Sequence, residues 1–390
     1  MLLVGAIVFV DTMFYAVVAP LLPEYSDDLG LSKASAGILL AAYPAGTLVG
    51  SLPAGVYAAR VGPRRAVLAG LAMLAAASVG FALFDDVVLL DVARFVQGLG
   101  GACSWAGGMA WLVQAAPPER RGELIGAAIA TAIGGALLGP VIGAVAIAIG
   151  SAPVFGAVAA LALGLMGWAA TTAGGGPEAV ASVPLRTAAR SPLIGAGMWL
   201  VALPALGFGV LDVLAPLRMD ALGASGAAVA AAFLVAAVAE GLISPVIGRV
   251  SDRRGRAVPI RVGLMVSAVL VLLVPASDPA LMTAALLVAT TAALGVFWAP
   301  AMALLSDAAE WIGIQQGLAW GLVNLAWASG MVAGAAGGGA LAKATADAVP
   351  FALFSGLCAV TLIAVIRYST GTPRAPRGPS PHAPSPAGHR

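Results

Sequence analysis

The chain has 390 residues, of which 61% are apolar and only 10% charged, with a formal net charge of +2. A soluble domain carries about 25% charged residues, so this composition excludes a water-facing globular protein and makes lipid the solvent. The few charges fall in short loops and give no basis for a nucleic-acid partner; none is expected.

A helix crosses the hydrocarbon with roughly 20 mostly apolar residues. Apolar runs of that length predict spans at about 1–22, 35–58, 66–84, 88–113, 125–147, 152–172, 192–216, 224–248, 260–276, 281–306, 315–340 and 350–368. In lipid the backbone must satisfy its own hydrogen bonds, so these are helices and the fold class is all-α. The expected organisation is a six-helix bundle over 1–172, a linker over 173–191 and a second six-helix bundle over 192–368. The tail over 369–390 is Pro-rich and reads as disordered. Met1 opens directly into an apolar run, so no cleavable signal peptide is expected, and the true start can lie upstream of it.

Basic residues sort by loop. Arg60, Arg64, Arg65, Arg120, Arg121, Arg186, Arg190, Arg249, Arg253, Arg254, Arg256 and Arg261 follow even-numbered spans, and the tail adds Arg367, Arg374, Arg377 and Arg390. Lys33, Arg218 and Lys343 lie on the opposite side, and Arg94 lies inside the fourth span. The positive-inside rule therefore places both termini in the cytoplasm. Lys33 and Lys343 are the only lysines, a skew that suggests a GC-rich bacterial genome and hence the bacterial inner membrane.

An internal duplication is written in three places. Gly55-Val-Tyr-Ala-Ala-Arg60-Val-Gly62-Pro-Arg64 recurs as Gly248-Arg-Val-Ser-Asp252-Arg253-Arg-Gly255-Arg256. Ala19-Pro20-Leu21 recurs as Ala215-Pro216-Leu217. Gly135, Gly139 and Gly143 recur as Gly330, Gly334 and Gly338. All three repeat at nearly the same offset, and parallel halves of this kind hold a transport site at the midplane.

These residues resemble the major facilitator superfamily over the chain up to the tail. The second loop copy matches the family's Gly-x-x-x-Asp-Arg-x-Gly-Arg pattern, while the first has Ala59 in place of the acid. In the family this loop latches the cytoplasmic side. Arg94-Phe-Val-Gln97-Gly98-Leu-Gly100 resembles a fourth-span motif linked to proton coupling. Gly135-x-x-x-Gly139-Pro140-x-x-Gly143 resembles the fifth-span motif of the twelve-span drug/proton antiporters; its small residues make one flat helix face, and Pro140 is expected to bend the helix. The first span, with Asp11 nine residues before Pro20, is similar to that of the vesicular amine transporters. The seventh continues the likeness, with Asp212 four residues before Pro216. The match stops at the tenth and eleventh spans, where that family's acids fall on Gly295 and Asn324. The resemblance thus implies proton-coupled antiport but not those substrates.

Charges at bilayer depth are costly and usually functional. Asp11, near mid-span, suits a proton and a cationic substrate competing for one carboxylate; a structural ion pair with Arg94 is the plainer reading. Arg94 can instead pair with Asp91 three residues back on its own helix face, with Gln97 beside it. Asp212 reads as an outer gate or an interfacial charge, and Glu240 as a second proton site or a partner of Arg261. Asp307 and Glu310 read as loop residues. Trp320, Asn324 and Trp327 share a helix stripe, the best aromatic candidate for a cavity wall, with Trp105, Trp199 and Trp298 as other in-span tryptophans. Cys103 and Cys358 read as small core residues.

No Cys/His cluster suggests a metal, no phosphate-cradling loop suggests ATP drive, and no nucleophile–base pair suggests an enzyme, so no cofactor is expected. The function expected is a monomeric secondary transporter exporting a small lipophilic or cationic compound in exchange for protons. The alternatives are a proton-coupled importer of a metabolite on the same fold, and a non-transporting membrane sensor.

Overall fold

The computed structural model describes residues 2–117, 121–174, 190–312 and 316–371. The core of the expected linker and the tail from 372 lie outside the described residues, as do the side chains of Asp252 and Trp320.

Twelve helices are long and apolar enough to cross a membrane. They are α1 (Leu2–Leu29), α2 (Lys33–Val61), α3 (Pro63–Leu83), α4 (Val87–Ala115), α5 (Arg121–Ile149) and α6 (Ser151–Thr171). The second set comprises α7 (Pro192–Ala221), α8 (Gly226–Arg254), α9 (Ala257–Leu273), α10 (Ala280–Trp311), α11 (Gln316–Val332) and α12 (Ala348–Gly371). The eleventh span continues past α11 through a π turn, Ala333–Gly337, into a final helical segment, Gly338–Ala344. No strand occurs among the described residues.

Local chemistry sets the helix ends. Ser32, Asp86 and Ser225 accept hydrogen bonds from backbone N–H groups in the first turns of α2, α4 and α8, which satisfies donors the helix cannot. Gly62 (φ 94°) and Gly255 (φ 84°) close α2 and α8 in a region that only glycine adopts freely. They are the second glycine of each copy of the repeated loop.

The halves pack alike. In the first, α1 lies on α5, α2 on α4, α3 on α4 and α6; in the second, α7 lies on α11, α8 on α10, α9 on α10 and α12. Each contact recurs six helices later. The glycine triplets explain the tightest of them. A Cβ at Gly135 would collide with the Phe9 carbonyl, one at Gly139 would approach Ala16 C to 2.8 Å, and one at Gly143 would meet Val17 O at 3.2 Å. On the other side, Gly330, Gly334 and Gly338 meet Ala202, Leu206 and Val210 of α7. With little hydrophobic drive in lipid, close backbone approach is what holds such helices. Pro140 does not interrupt α5, which runs on to Ile149.

The halves meet along α2 with α11 and α5 with α8. Where α2 begins and the eleventh span ends, the contact is tight. Gly37 lies against the Ala335 carbonyl, Gly339 lies against the Lys33 carbonyl, and Lys33 forms an ion pair with Asp347. Gly226 of α8 meets Ile147 of α5 at the same face. We call this the far face. At the opposite, Arg-rich face, a Cβ at Gly55 or Gly248 would meet no atom within 4 Å.

Two expectations about polar residues change. Asp307 is not a loop residue: α10 continues to Trp311, and Asp307 pairs with Arg256. Asp212 is not at a helix end, because α7 runs nine residues further to Ala221, about 13 Å at 1.5 Å per residue. Arg218, in that last turn, donates to the Ser277 carbonyl rather than extending into a loop. Of the repeated-loop arginines, Arg64 donates to the Ala170 carbonyl at the end of α6, while Arg60 and Arg253 are exposed.

Candidate functional site

A cavity of about 420 Å³ lies between the halves. Its wall takes residues from α1, α2, α4 and α5 on one side and from α7, α8, α10 and α11 on the other. Most of it is apolar or aromatic. Among the described residues, Asp212 and Glu240 are the acids in the lining, and no Lys, Arg or His lines it.

The acid pair comes from α7 and α8. Glu240 rests on Gly295: a Cβ there would come within 2.9 Å of its Cγ and 3.3 Å of Oε1. Gly295 is where the resembled amine transporters carry their tenth-span acid. Here the carboxyl occupying that space comes from α8. Asn324 and Trp327 also line the cavity.

Asp11 is placed differently from the expectation. It is 1% exposed and absent from the cavity wall. Its Oδ2 accepts from the Tyr43 hydroxyl at 3.1 Å and from Trp105 Nε1 at 3.2 Å, while Oδ1 has no hydrogen-bond partner. Tyr43, Trp105 and Gly101 do line the cavity and stand between it and Asp11. Gly101 is required by this arrangement, since a Cβ would lie 2.6 Å from the Tyr43 hydroxyl and 3.2 Å from both Asp11 oxygens.

Arg94 is wholly buried. Neither of the ion pairs considered for it, with Asp11 or with Asp91, occurs among the described residues, and Asp91 Oδ1 is itself buried without a partner. The guanidinium donates to Gln97 Oε1 at 2.7 Å and lies over the rings of Tyr43 (5.2 Å) and Tyr15 (5.8 Å). Each ring contact is worth about 0.5–2 kcal/mol. They offset only a portion of the several kcal/mol needed to bury the charge. Its Nε and Nη2, with Gln97 Nε2, remain unpartnered. Asp11 and Arg94 thus occupy one buried polar cluster without direct contact.

An aromatic bridge links this cluster to the other half. Tyr15 and Tyr43 pack at a 42° tilt with centroids 4.9 Å apart, and Trp327 of α11 meets them edge-on at 5.7 and 6.4 Å. Trp298 packs edge-on against Phe208 in the cavity wall. Trp199 instead donates to Thr361 and is 42% exposed, away from the cavity. Tyr15 and Tyr43 were not singled out from sequence. The available signal was a hydroxyl-bearing aromatic one turn from a buried acid and another immediately before an in-span proline, Pro44.

Twelve membrane-length helices in two repeated halves, with a largely apolar cavity holding two acids at their junction, define a multi-pass membrane protein. A family model, Major Facilitator Superfamily, matches residues 4–203 and again 197–389; the chain belongs to this superfamily. Among curated relatives, it is 24% identical to the human synaptic vesicular amine transporter over 83% of this chain and 64% of that protein. It is 33% identical to a chloramphenicol resistance protein of Streptomyces lividans over 60% of this chain and 62% of that one. With the MFS-type transporter ppzB of Metarhizium rileyi it shares 33% over 35% of this chain and 29% of the other. The chain therefore spans less than two thirds of the length of these relatives. Among solved structures, a D-xylose–proton symporter superposes with a TM-score of 0.74 at 18% identity, covering 92% of this chain and 96% of that one. The nucleoside transporter NupG gives 0.74 at 12%, covering 95% and 99%. These two likenesses concern the fold.

Proposed function

We propose that this protein exports a small lipophilic cation in exchange for protons, by alternating access of its two halves. The observation that carries the reading is the charge of the cavity wall: Asp212 and Glu240 from one half, aromatic faces from both, and no basic side chain among the described residues. A carboxylate in a low-dielectric site attracts a cation far more strongly than in water. Flat aromatic faces add cation–π attraction, and the apolar remainder suits a lipophilic body. Relatives named for amine transport and for chloramphenicol resistance fit a small organic cargo.

Orientation follows from the arginines. The Arg-rich face is cytoplasmic, so the far face, closed by Gly37–Ala335 and Lys33–Asp347, looks outward. This is the conformer in which an exporter loads. Both termini lie in the cytoplasm, the membrane is a bacterial plasma membrane, and the transporting unit is the monomer. The loops at Gly62 and Gly255 join helices that move as bodies. Energy comes from the gradient: one charge crossing about 100 mV gains about 2.3 kcal/mol.

The test is a pH-gradient assay in proteoliposomes with an acid lumen, a fluorescent proton reporter and a panel of cationic, neutral and anionic compounds. Proton efflux on adding a cation, lost in Asp11→Asn, is expected. Co-movement of protons with a neutral or anionic compound would replace this reading with a proton-coupled importer.

A further inference from the structure

The buried acids fall into two kinds. Asp212 and Glu240 face the cavity; Asp11 does not. A cation in the cavity reaches Asp11 only by displacing Tyr43 or Trp105, and Tyr43 packs against both the Tyr15 ring at 4.9 Å and the Arg94 guanidinium at 5.2 Å. One carboxylate shared by proton and substrate does not fit this wall.

We propose that the two cargoes use separate carboxyls. The organic cation sits between Asp212 and Glu240 against Trp327 and Trp298, and Asp11 takes only the proton, delivered through the Tyr43 hydroxyl. The proposal rests on the antiport reading above and assigns its parts.

The relay follows from donor and acceptor chemistry. Two groups both touch Asp11 and line the cavity, Tyr43 and Trp105. An indole N–H donates but has no lone pair with which to accept, whereas a phenol does both. Only Tyr43 can pass a proton on. As its O–H bond breaks and Oδ2–H forms on Asp11, the phenol oxygen takes a proton from a hydronium ion on the cavity side. The hydronium becomes water and the carboxylate becomes a carboxylic acid. Gly101 keeps the space in which hydroxyl and carboxyl meet.

The same geometry couples the cargoes without contact between them. The charged or titratable groups around Asp11 are Tyr43 on α2, Arg94 on α4 and Tyr15 on its own helix, with Asp212 of α7 and Glu240 of α8 at the cavity wall. Ionised Asp11 offsets the Arg94 charge. Protonated Asp11 leaves that charge exposed beneath Tyr15 and Tyr43, which form the cavity wall, and a cation there is repelled.

The experiment uses full-length protein in detergent, with tritiated tetraphenylphosphonium as a cation of fixed charge, and reads binding and proton release together. Wild type binding without proton release would sink the antiport reading itself. Given release in wild type, Asp212→Asn and Glu240→Gln are each expected to weaken binding at least about tenfold, the loss of one charged contact. Asp11→Asn is expected to lose less affinity than Asp212→Asn, and to release no proton on binding. Tyr43→Phe, which keeps the ring, should retain affinity within about threefold and slow proton release at least about tenfold, on the low side of a lost proton-transfer group. Trp105→Phe, which also removes a hydrogen bond to Asp11, should slow it much less. Monodispersity on size exclusion verifies folding of each variant. Loss of binding in Asp11→Asn equal to that in Asp212→Asn, or wild-type proton release in Tyr43→Phe, would overturn the assignment.

Discussion

Replacing Gly37 by Ala should pry open the far face. In the closed state an added Cβ would collide with the Ala335 carbonyl, and would stand 3.2 Å from Ala335 C and 3.3 Å from Gly339 Cα. These are backbone atoms, so no side chain can swing aside; α2 and the π turn of the eleventh span must separate. Overpacking of this kind costs about 1–3 kcal/mol. Alanine also stabilises a helix by about 1 kcal/mol over glycine, but α2 is helical in either conformer, so that gain cancels. The closed state alone carries the cost, and the closed-to-open ratio should fall about 5- to 150-fold. Thr12 lines the cavity, so a cysteine there, with Cys103 and Cys358 replaced by serine, reports its opening. The assay is the labelling rate by a membrane-impermeant maleimide added from the far face, and the rate should rise by that factor. Gly164→Ala is the control, since a Cβ there meets nothing within 4 Å. Equal labelling rates for Gly37→Ala and Gly164→Ala would refute the claim that this contact closes the far face.

The Lys33–Asp347 pair should matter less: its side chains are 40% and 29% exposed, and pairs of that kind contribute at most about 1 kcal/mol. Lys33→Met should therefore raise far-face labelling less than about fivefold, and the increase should shrink in high salt. Because Glu240 fills the space over Gly295, moving the acid in Glu240→Ala/Gly295→Glu should restore much of the cation binding that Glu240→Ala removes, measured by equilibrium binding. Trp327→Ala should weaken binding of a planar cation about three- to thirtyfold, the range of a cation–π contact. Gly139→Val should lower stability by about 1–3 kcal/mol through forced separation of α5 from α1, read as a lower midpoint of thermal unfolding in detergent; an unchanged midpoint would show that this helix pair tolerates spreading.

Composition and pattern were enough for the spans, because in lipid each helix must satisfy its own backbone and present apolar side chains all round. The errors lie at the ends. Polar residues such as Arg218 and Asp307 looked like loop, yet the helices carry them on to Ala221 and Trp311, where each finds a partner in another element. The duplication was also legible. Gly135, Gly139 and Gly143 repeat as Gly330, Gly334 and Gly338, and each triplet seats its helix on the first helix of its own half. A glycine face is a local feature of one helix, and a string of letters preserves its spacing.

The site was legible only as a set of suspects. Sequence alone placed Asp11, Arg94 and Glu240 at membrane depth, since burial of a charge follows from its position within an apolar run, but read Asp212 as lying near a helix end. It could not decide which of them share a space. Tertiary structure put Asp212 and Glu240 on the cavity wall, Asp11 behind Tyr43 and Trp105, and Arg94 under two tyrosine rings instead of against a carboxylate. The physical reason is that depth is set by one helix crossing the bilayer, whereas facing depends on how several helices are rotated and packed together, and that rotation is fixed by glycine contacts far apart in the chain.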